Sequence, residues 1–314
     1  MSGPGKHFRV GISLREIFQI FPDSETAEKW FVNQLWGGYI TCPKCGSDNV
    51  QTGAKHKSMP YRCRVRSCSK RFSVRYGTVM ESSKLDYQVW AIAIYLIVTG
   101  IKGVSSMKLH RDLNITQKSA WHLAHRLRKC LEADGIKEFV GPVEVDETYI
   151  GGKERNKHKS KRLNAGRGAV GKTAVIGMKD RKTDEIVAEV IEDTDRPTLQ
   201  GFILRKVQPN SKVFTDDALA YRGMPLQHQS VKHSVGEYVN GMAHTNGIES
   251  FWSLLKRGYH GTYHHMSRQH LFRYVSEFAM RHNLRRCDTA LQLGVIARKM
   301  EGRQLRYNDL VEKE

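Results

Sequence analysis

A chain of 314 residues is long enough for two or three domains, one of them with a sizeable core. Its 51 Lys and Arg outweigh 32 Asp and Glu and leave a formal charge of +19, an excess that speaks of partners rather than fold, with nucleic acid the usual one. No apolar run approaches the length of a bilayer span and the first residues carry no apolar secretion core, so a cytoplasmic protein with no membrane partner is expected.

Residues 1–38 form an N-terminal helical segment. Its first twelve residues are Gly-rich and read as loose, and Asp23 or Ser24 can cap a short helix running to about Trp36, with Glu25 and Glu28 where the helix dipole favours acids. In residues 39–80, Cys42-Pro-Lys-Cys45-Gly46 is followed by Cys63-Arg-Val-Arg-Ser-Cys68, with seventeen residues between Cys45 and Cys63. Two thiolate pairs on facing turns can close a tetrahedral site, and Gly46 permits the tight turn. Cys42, Cys45, Cys63 and Cys68 are therefore expected to hold one structural Zn²⁺ in a zinc ribbon with short strands near Tyr61 and Phe72. The wider spacing of the second pair is a mild departure. Such a ribbon serves either as a folding staple or as a contact for DNA or a partner.

Residues 81–134 turn helical. Tyr87–Val98 is a mostly apolar helix, and Val104–Leu113 and Thr116–Leu131 read as a helix-turn-helix joined at Asn114-Ile115. Thr116 caps the second helix, whose Ala120, Leu123, Ala124 and Leu127 pack on the first. Gln117, Lys118, Trp121, His122, His125 and Arg128 are then the candidates to face DNA.

Residues 135–287 form the next domain. A strand over 143–150 puts Glu144, Asp146 and Thr148 on one face, and the basic insertion 151–172 follows. That insertion holds eight Lys or Arg from Lys153 onward against one Glu; Lys153, Arg155, Lys161 and Arg162 are its candidate phosphate contacts. Strand-like runs at Thr173–Met178, Glu185–Glu192, Lys212–Thr215 and Val231–Val239 come next, with a helix from about Thr198 to Val207. Ile248, Phe251, Trp252 and Leu255 then fall at i, i+3, i+4 and i+7 of a helix whose neighbouring stripe is polar: Asn246, Glu249, Ser253 and Lys256. A Gly- and His-rich turn leads to a last strong helix, Gln269 to about Arg285, and residues 288–314 form a tail without a usable motif.

Asp146, Asp216 and Glu249 thus lie at or near the ends of elements that can share one sheet edge. Three acids in proximity repel unless cations join them, and hard oxygen ligands select Mg²⁺ or Mn²⁺. Two such ions about 3.5–4 Å apart serve phosphoryl transfer, and Lys256 could hold a substrate phosphate. An ordinary solvated helix face explains the same residues taken singly.

With these residues in view, the chain resembles bacterial insertion-sequence transposases of the DDE class, in the group that joins a zinc ribbon to a ribonuclease-H-like (ISXO-type) catalytic domain. The resemblance runs from about Asp23 to Arg286 and is carried by Val143-Glu-Val-Asp-Glu-Thr-Tyr-Ile-Gly-Gly, Thr215-Asp-Asp and His244-Thr-Asn-Gly-Ile-Glu-Ser-Phe-Trp-Ser-Leu-Leu-Lys-Arg-Gly. The trailing Gly261-Thr-Tyr-His-His-Met-Ser and the run from Arg273-Tyr to Arg281-His-Asn strengthen it. It implies that Asp146, Asp216 and Glu249 are the metal-binding triad and Lys256 the helper lysine. Asn246 is the alternative third ligand, because some relatives use Asn there; a carboxylate neutralises a divalent ion and an amide does not, which favours Glu249. Asp217 is the lesser twin of Asp216.

The resulting expectation is a multidomain α+β protein: a zinc ribbon, a helix-turn-helix, then an α/β ribonuclease-H-like domain with a mixed sheet. It would be a nucleoid-associated bacterial transposase that binds terminal inverted repeats in double-stranded DNA and performs strand cleavage and transfer. Two transposon ends imply a homodimer or larger assembly on DNA. A DNA-binding protein with an inert ribonuclease-H-like part, and a nuclease without strand transfer, are the competing readings.

Overall fold

The computed structural model describes residues 10–54, 56, 58–135, 138–152, 158–163, 169–231 and 244–312. The chain divides into two units, Met1–Leu131 together with Arg286–Glu314, and Glu132–Arg285. Among the described residues no helix is long and apolar enough to cross a membrane.

The first unit opens with α1 (Leu14–Ile20), a helix in addition to the one expected from Asp23 or Ser24 to about Trp36; Ser13 and Glu16 close a reciprocal capping box that starts it. Helix α2 (Ser24–Trp36) starts at Asp23, whose carboxylate accepts from the Thr26 amide at 2.7 Å, and stops at Gly37 with φ +60°. Strands β1 (Val50–Gln51), β2 (Tyr61–Cys63) and β3 (Arg71–Phe72) form a small antiparallel sheet in that order. Helix α3 (Tyr87–Thr99), capped by Asp86, is apolar on nearly every side and buried accordingly, with Trp90, Ala91, Ala93 and Ile94 inaccessible. Helices α4 (Ser106–Asp112) and α5 (Gln117–Cys130) make a hairpin around Leu109, Ala120 and Ala124, and Thr116 caps α5 through the Ser119 amide.

The second unit is built on a five-stranded sheet. Strands β4 (Val143–Ile150), β5 (Thr173–Asp180) and β6 (Ile186–Ile191) run antiparallel, and β7 (Lys212–Asp216) and β8 (Gln227–Val231) extend the other edge of β4 in parallel, giving the order β6-β5-β4-β7-β8. Strand β8 at 227–231 was not expected, because Gln-His-Gln-Ser-Val lacks the apolar alternation that marks its neighbours; the strand expected at 231–239 lies, but for its first residue, outside the described residues.

One face of the sheet packs on α6 (Arg196–Leu204) through Val143, Val145, Ile176, Met178, Leu199 and Phe202. The other packs on α7 (Asn246–Gly258) and α8 (Leu271–Leu284) through Ile150, Val175, Ile248, Phe251, Trp252 and Phe278. Each large side chain taken from water here contributes about 1.5–3 kcal/mol, which is what presses the α7 stripe on the sheet. Asn283 of α8 bonds both the amide and the carbonyl of Ile186, at 2.8 and 2.9 Å, and so fastens that helix to edge strand β6.

The segment expected as a featureless tail returns to the first unit. Helix α9 (Thr289–Arg298) buries Leu293, Ile296 and Ala297, the Val79 amide bonds the Met300 carbonyl at 3.0 Å, and a short α10 (Asn308–Val311) follows.

Candidate functional site: a carboxylate cluster on one face of the sheet

Alternation along β4 sends Glu144, Asp146 and Thr148 to the α7 face and Val143, Val145 and Glu147 to the α6 face. The parallel pairing of β4 with β7 matches Glu144 to Phe214. Two residues farther along each strand, on the same face, stand Asp146 and Asp216. Across the antiparallel pairing Asp146 is opposite Gly177 of β5. A Cβ at that glycine would lie 2.6 and 2.7 Å from ring carbons of Trp252, so only glycine lets α7 settle this close to the sheet. Glu249, in the first turn of α7, thereby comes close enough for its charge to act on Asp146.

Electrostatics registers the meeting. Burial, followed by the negative charges of Glu147, Asp216 and Glu249, pushes the Asp146 carboxyl up to about 7. Two of the three predicted carboxylates accept local hydrogen bonds: Glu249 from the Thr245 hydroxyl at 2.8 Å, and Asp216 from the Ala218 amide at 3.1 Å. Their oxygens do not close on one another as the cysteine sulfurs do. Asn246 is exposed at the first residue of α7, and Lys256 is exposed two turns beyond Glu249. On the opposite face Glu147 accepts a short hydrogen bond from the buried Tyr221 hydroxyl; burial and the Asp216 charge raise its pKa.

Glu144 was seen in the sequence only as a residue sharing Asp146's face. It is 2% exposed, and its Oε2 accepts from the backbone amides of Gly247 and Ile248 at 2.7 and 3.0 Å. Its Oε1 accepts from Arg181 Nε at 2.8 Å and lies 3.3 Å from His244 Nδ1. Arg181 also donates to the His244 carbonyl at 2.6 Å and lies over the Phe214 ring at 4.2 Å. Arg181 carries no local signal in the sequence, since its partners are remote along the chain.

In the first unit the four cysteines bring their sulfur atoms within 4.8 Å of one another, with Cys42–Cys68 and Cys45–Cys63 each at 3.6 Å. A tetrahedral centre with bonds of about 2.3 Å separates its sulfurs by about 3.8 Å, so the set fits a zinc ion. Burial opposes ionisation of Cys42, but the amides of Lys44 and Cys45 directed at its sulfur, with the neighbouring cysteines, bring it down to about 7.

The residues proposed to face DNA divide. Gln117 and Lys118 are exposed at the start of α5, with Lys118 Nζ 4.2 Å from the centre of the Tyr307 ring. Trp121 and His122 are half-buried and pack edge-on against Tyr307, and His122 Nε2 lies 3.1 Å from the Leu305 carbonyl. His125 and Arg128 are buried, at 0% and 2% exposure, and do not present a surface to a duplex. Helix α5 has a second packing partner: Leu305, Tyr307 and Glu81 lie against it, with Arg126 donating to the carbonyls of Leu305 and Glu81 at 3.1 Å each. In the basic insertion, Lys153 and Arg155 lie outside the described residues. Lys161 belongs to a short 3₁₀ turn, Lys159–Lys161, and Arg162, half-buried, follows it.

Comparison with known proteins adds to this geometry. Residues 138–283, which include the whole five-stranded sheet with α7 and nearly all of α8, match the ISXO2-like transposase domain. The chain is also 28% identical over 259 residues to an uncharacterized protein in transposable element ISH50 of Halobacterium salinarum, a match covering 78% of this chain and 86% of that protein. Both likenesses support an insertion-sequence transposase of the ISXO2-like type.

Proposed function

We propose that the protein binds the terminal inverted repeats of an insertion sequence and catalyses metal-dependent cleavage and transfer of their strands, with Asp146, Asp216 and Glu249 as the metal-binding carboxylates. The observation that carries this reading is that Asp146 is buried within reach of the charges of Asp216 and Glu249, 70 and a further 33 positions along the sequence (216 − 146; 249 − 216); burial first, then the charges of Glu147, Asp216 and Glu249, raise its pKa to about 7. A buried carboxyl crowded by like charges is costly unless cations occupy the space between them. The donor set is all oxygen, which suits two Mg²⁺ or Mn²⁺ ions rather than zinc. The strand order β6-β5-β4-β7-β8, three strands antiparallel and two added in parallel, supports the ribonuclease-H-like reading.

When bound, divalent cations neutralise the carboxylates and polarise the phosphodiester. The chain's own residues supply the rest. Asp146 and Asp216 on adjoining strands and Glu249 on α7 present oxygens from three directions. Lys256, farther along α7, offers an ammonium to a non-bridging phosphate oxygen. Exposed Gln117 and Lys118 stand where the start of a recognition helix would meet DNA, and the zinc ribbon supports that unit. A dimer or larger assembly on DNA follows from the need to hold two ends.

The test is incubation of the purified protein and Mg²⁺ with DNA bearing the element's own termini, with nicks and joined products mapped. Wild type is expected to cut and join, and Asp146→Ala and Asp216→Ala to bind the DNA without cutting it. Cleavage by Asp146→Ala would overturn the triad; cutting without joined products would leave a nuclease.

A further inference from the structure

The helix that bears Glu249 does not cap itself. Thr245 occupies its N-cap position, yet makes no capping bond from its side chain, because that hydroxyl is turned to Glu249. The first turn of a helix leaves amides that require acceptors. Here two of them, on Gly247 and Ile248, are satisfied by Glu144, a carboxylate about a hundred residues upstream on β4. The glycine is needed for that approach: a Cβ at Gly247 would stand 2.7 Å from Glu144 Oε2.

Arg181 completes the joint. Its Nε binds the other oxygen of Glu144, its outer nitrogen binds the His244 carbonyl just before α7, and its planar face covers Phe214 of β7. One guanidinium therefore touches β4, β7 and the approach to α7. On each of these the predicted acid is a short backbone lever away: Asp146 two residues beyond Glu144, Asp216 two beyond Phe214, Glu249 one beyond Ile248.

From this arrangement we infer that Glu144 and Arg181 are positioning residues that hold the strands and helix bearing Asp146, Asp216 and Glu249 in a single metal-binding register. The inference rests on the proposed triad. It assigns a task to two residues that touch neither metal nor DNA in that proposal. An ion pair that served stability alone would be replaceable by any change that leaves the protein folded. A register device would not, because a lateral shift of α7 alters the site without unfolding it.

The full-length, zinc-loaded protein tests this with Arg181→Lys, which keeps the charge but loses the fork, and Glu144→Gln, which keeps an acceptor but loses the ion pair. Mn²⁺ binding to protein alone, single-turnover cleavage of terminus DNA in saturating Mg²⁺, end-DNA affinity and melting temperature are measured together. In both variants, end-DNA affinity should match wild type while Mn²⁺ affinity and cleavage per folded molecule fall about 10–100-fold. If a variant melts earlier yet binds Mn²⁺ and cuts within about twofold of wild type, the pair is structural only and the inference fails. If wild type cuts no DNA, the functional proposal fails, and Mn²⁺ binding alone decides the clamp. Weakening in both variants upholds it, whereas unchanged binding, or none by wild type, overturns it. Should Glu144→Gln fail to fold, Arg181→Lys carries the decision.

Discussion

Gly177→Ala is the sharpest probe of how the carboxylate cluster is assembled. The added methyl would stand 2.6 and 2.7 Å from two carbons of the Trp252 ring and 3.1 Å from Ile248 Cδ1. Carbon atoms rest about 3.5–4.0 Å apart, so either the ring or the whole of α7 retreats by about 1 Å. Trp252 is 3% exposed and sits among Ile150, Phe251, Tyr259 and Phe278, which leaves the ring little room to turn aside. Overpacking of this size costs about 1–3 kcal/mol, and alanine in place of glycine within a strand returns roughly 0.5–1. A modest net loss of about 1 kcal/mol in urea unfolding is expected. The effect on chemistry should be larger, because displacing catalytic groups by about 1 Å can reduce turnover by about 100-fold. Trp252→Phe removes the clashing ring edge, so the double variant should show a favourable coupling of about 0.5–3 kcal/mol and recover part of the cleavage rate. A Gly177→Ala protein with wild-type stability and cleavage, or one that Trp252→Phe does not relieve, would refute this account of the packing.

Two further outcomes follow from burial and charge. In the metal-free protein, the Asp146 carboxyl holds its proton to about 7, whereas in the unfolded chain it releases it near 3.8. The folded state therefore binds more protons across that window, and this group makes the protein lose stability as pH rises from about 4 to 7. Asp146→Asn should flatten the dependence, raise the metal-free melting temperature at pH 8 more than at pH 5, and abolish stabilisation by Mg²⁺ at pH 8; parallel melting curves for the two proteins would count against the shift. On α5, Lys118→Ala should leave stability within about 0.5 kcal/mol and reduce the salt dependence of end binding by about one counterion. Arg128→Ala, at a position 2% exposed, should instead destabilise by a few kcal/mol, and finding the opposite pattern by anisotropy and melting would reverse the assignment of the two residues.

What could be read in the sequence was whatever local spacing encodes. The cysteine pairs announced their cluster, the alternation in Val143–Ile150 put Glu144 and Asp146 on one face, and the Ile248–Leu255 stripe marked the buried side of α7. The side chains beside them were legible only in part. Glu144 looked like another acid on a strand, because the amides it satisfies belong to a helix remote in sequence. Arg181, among 51 Lys and Arg, had nothing to distinguish it. The outward face of α5 differs from expectation at the buried His125 and Arg128, because a hairpin considered alone has one packing partner, whereas this helix also meets Leu305 and Tyr307. Helix α1 escaped notice because it is one short element whose Leu14 and Phe18 are about half exposed, at 54% and 49%, so its pattern resembles loose chain.

The path of the chain through its first unit has a bearing on how the protein is made. The Val10 amide reaches the Asp288 side chain at 2.6 Å, and the Thr289 amide returns to the Val10 carbonyl at 3.0 Å. Synthesis is vectorial, so a nascent chain on the ribosome has exposed every residue of the sheet-bearing unit before the last helices of the other have been translated. The unit begun first is finished last. Until α9 emerges, the flank of α3 that it covers stays open, a natural foothold for chaperones during translation.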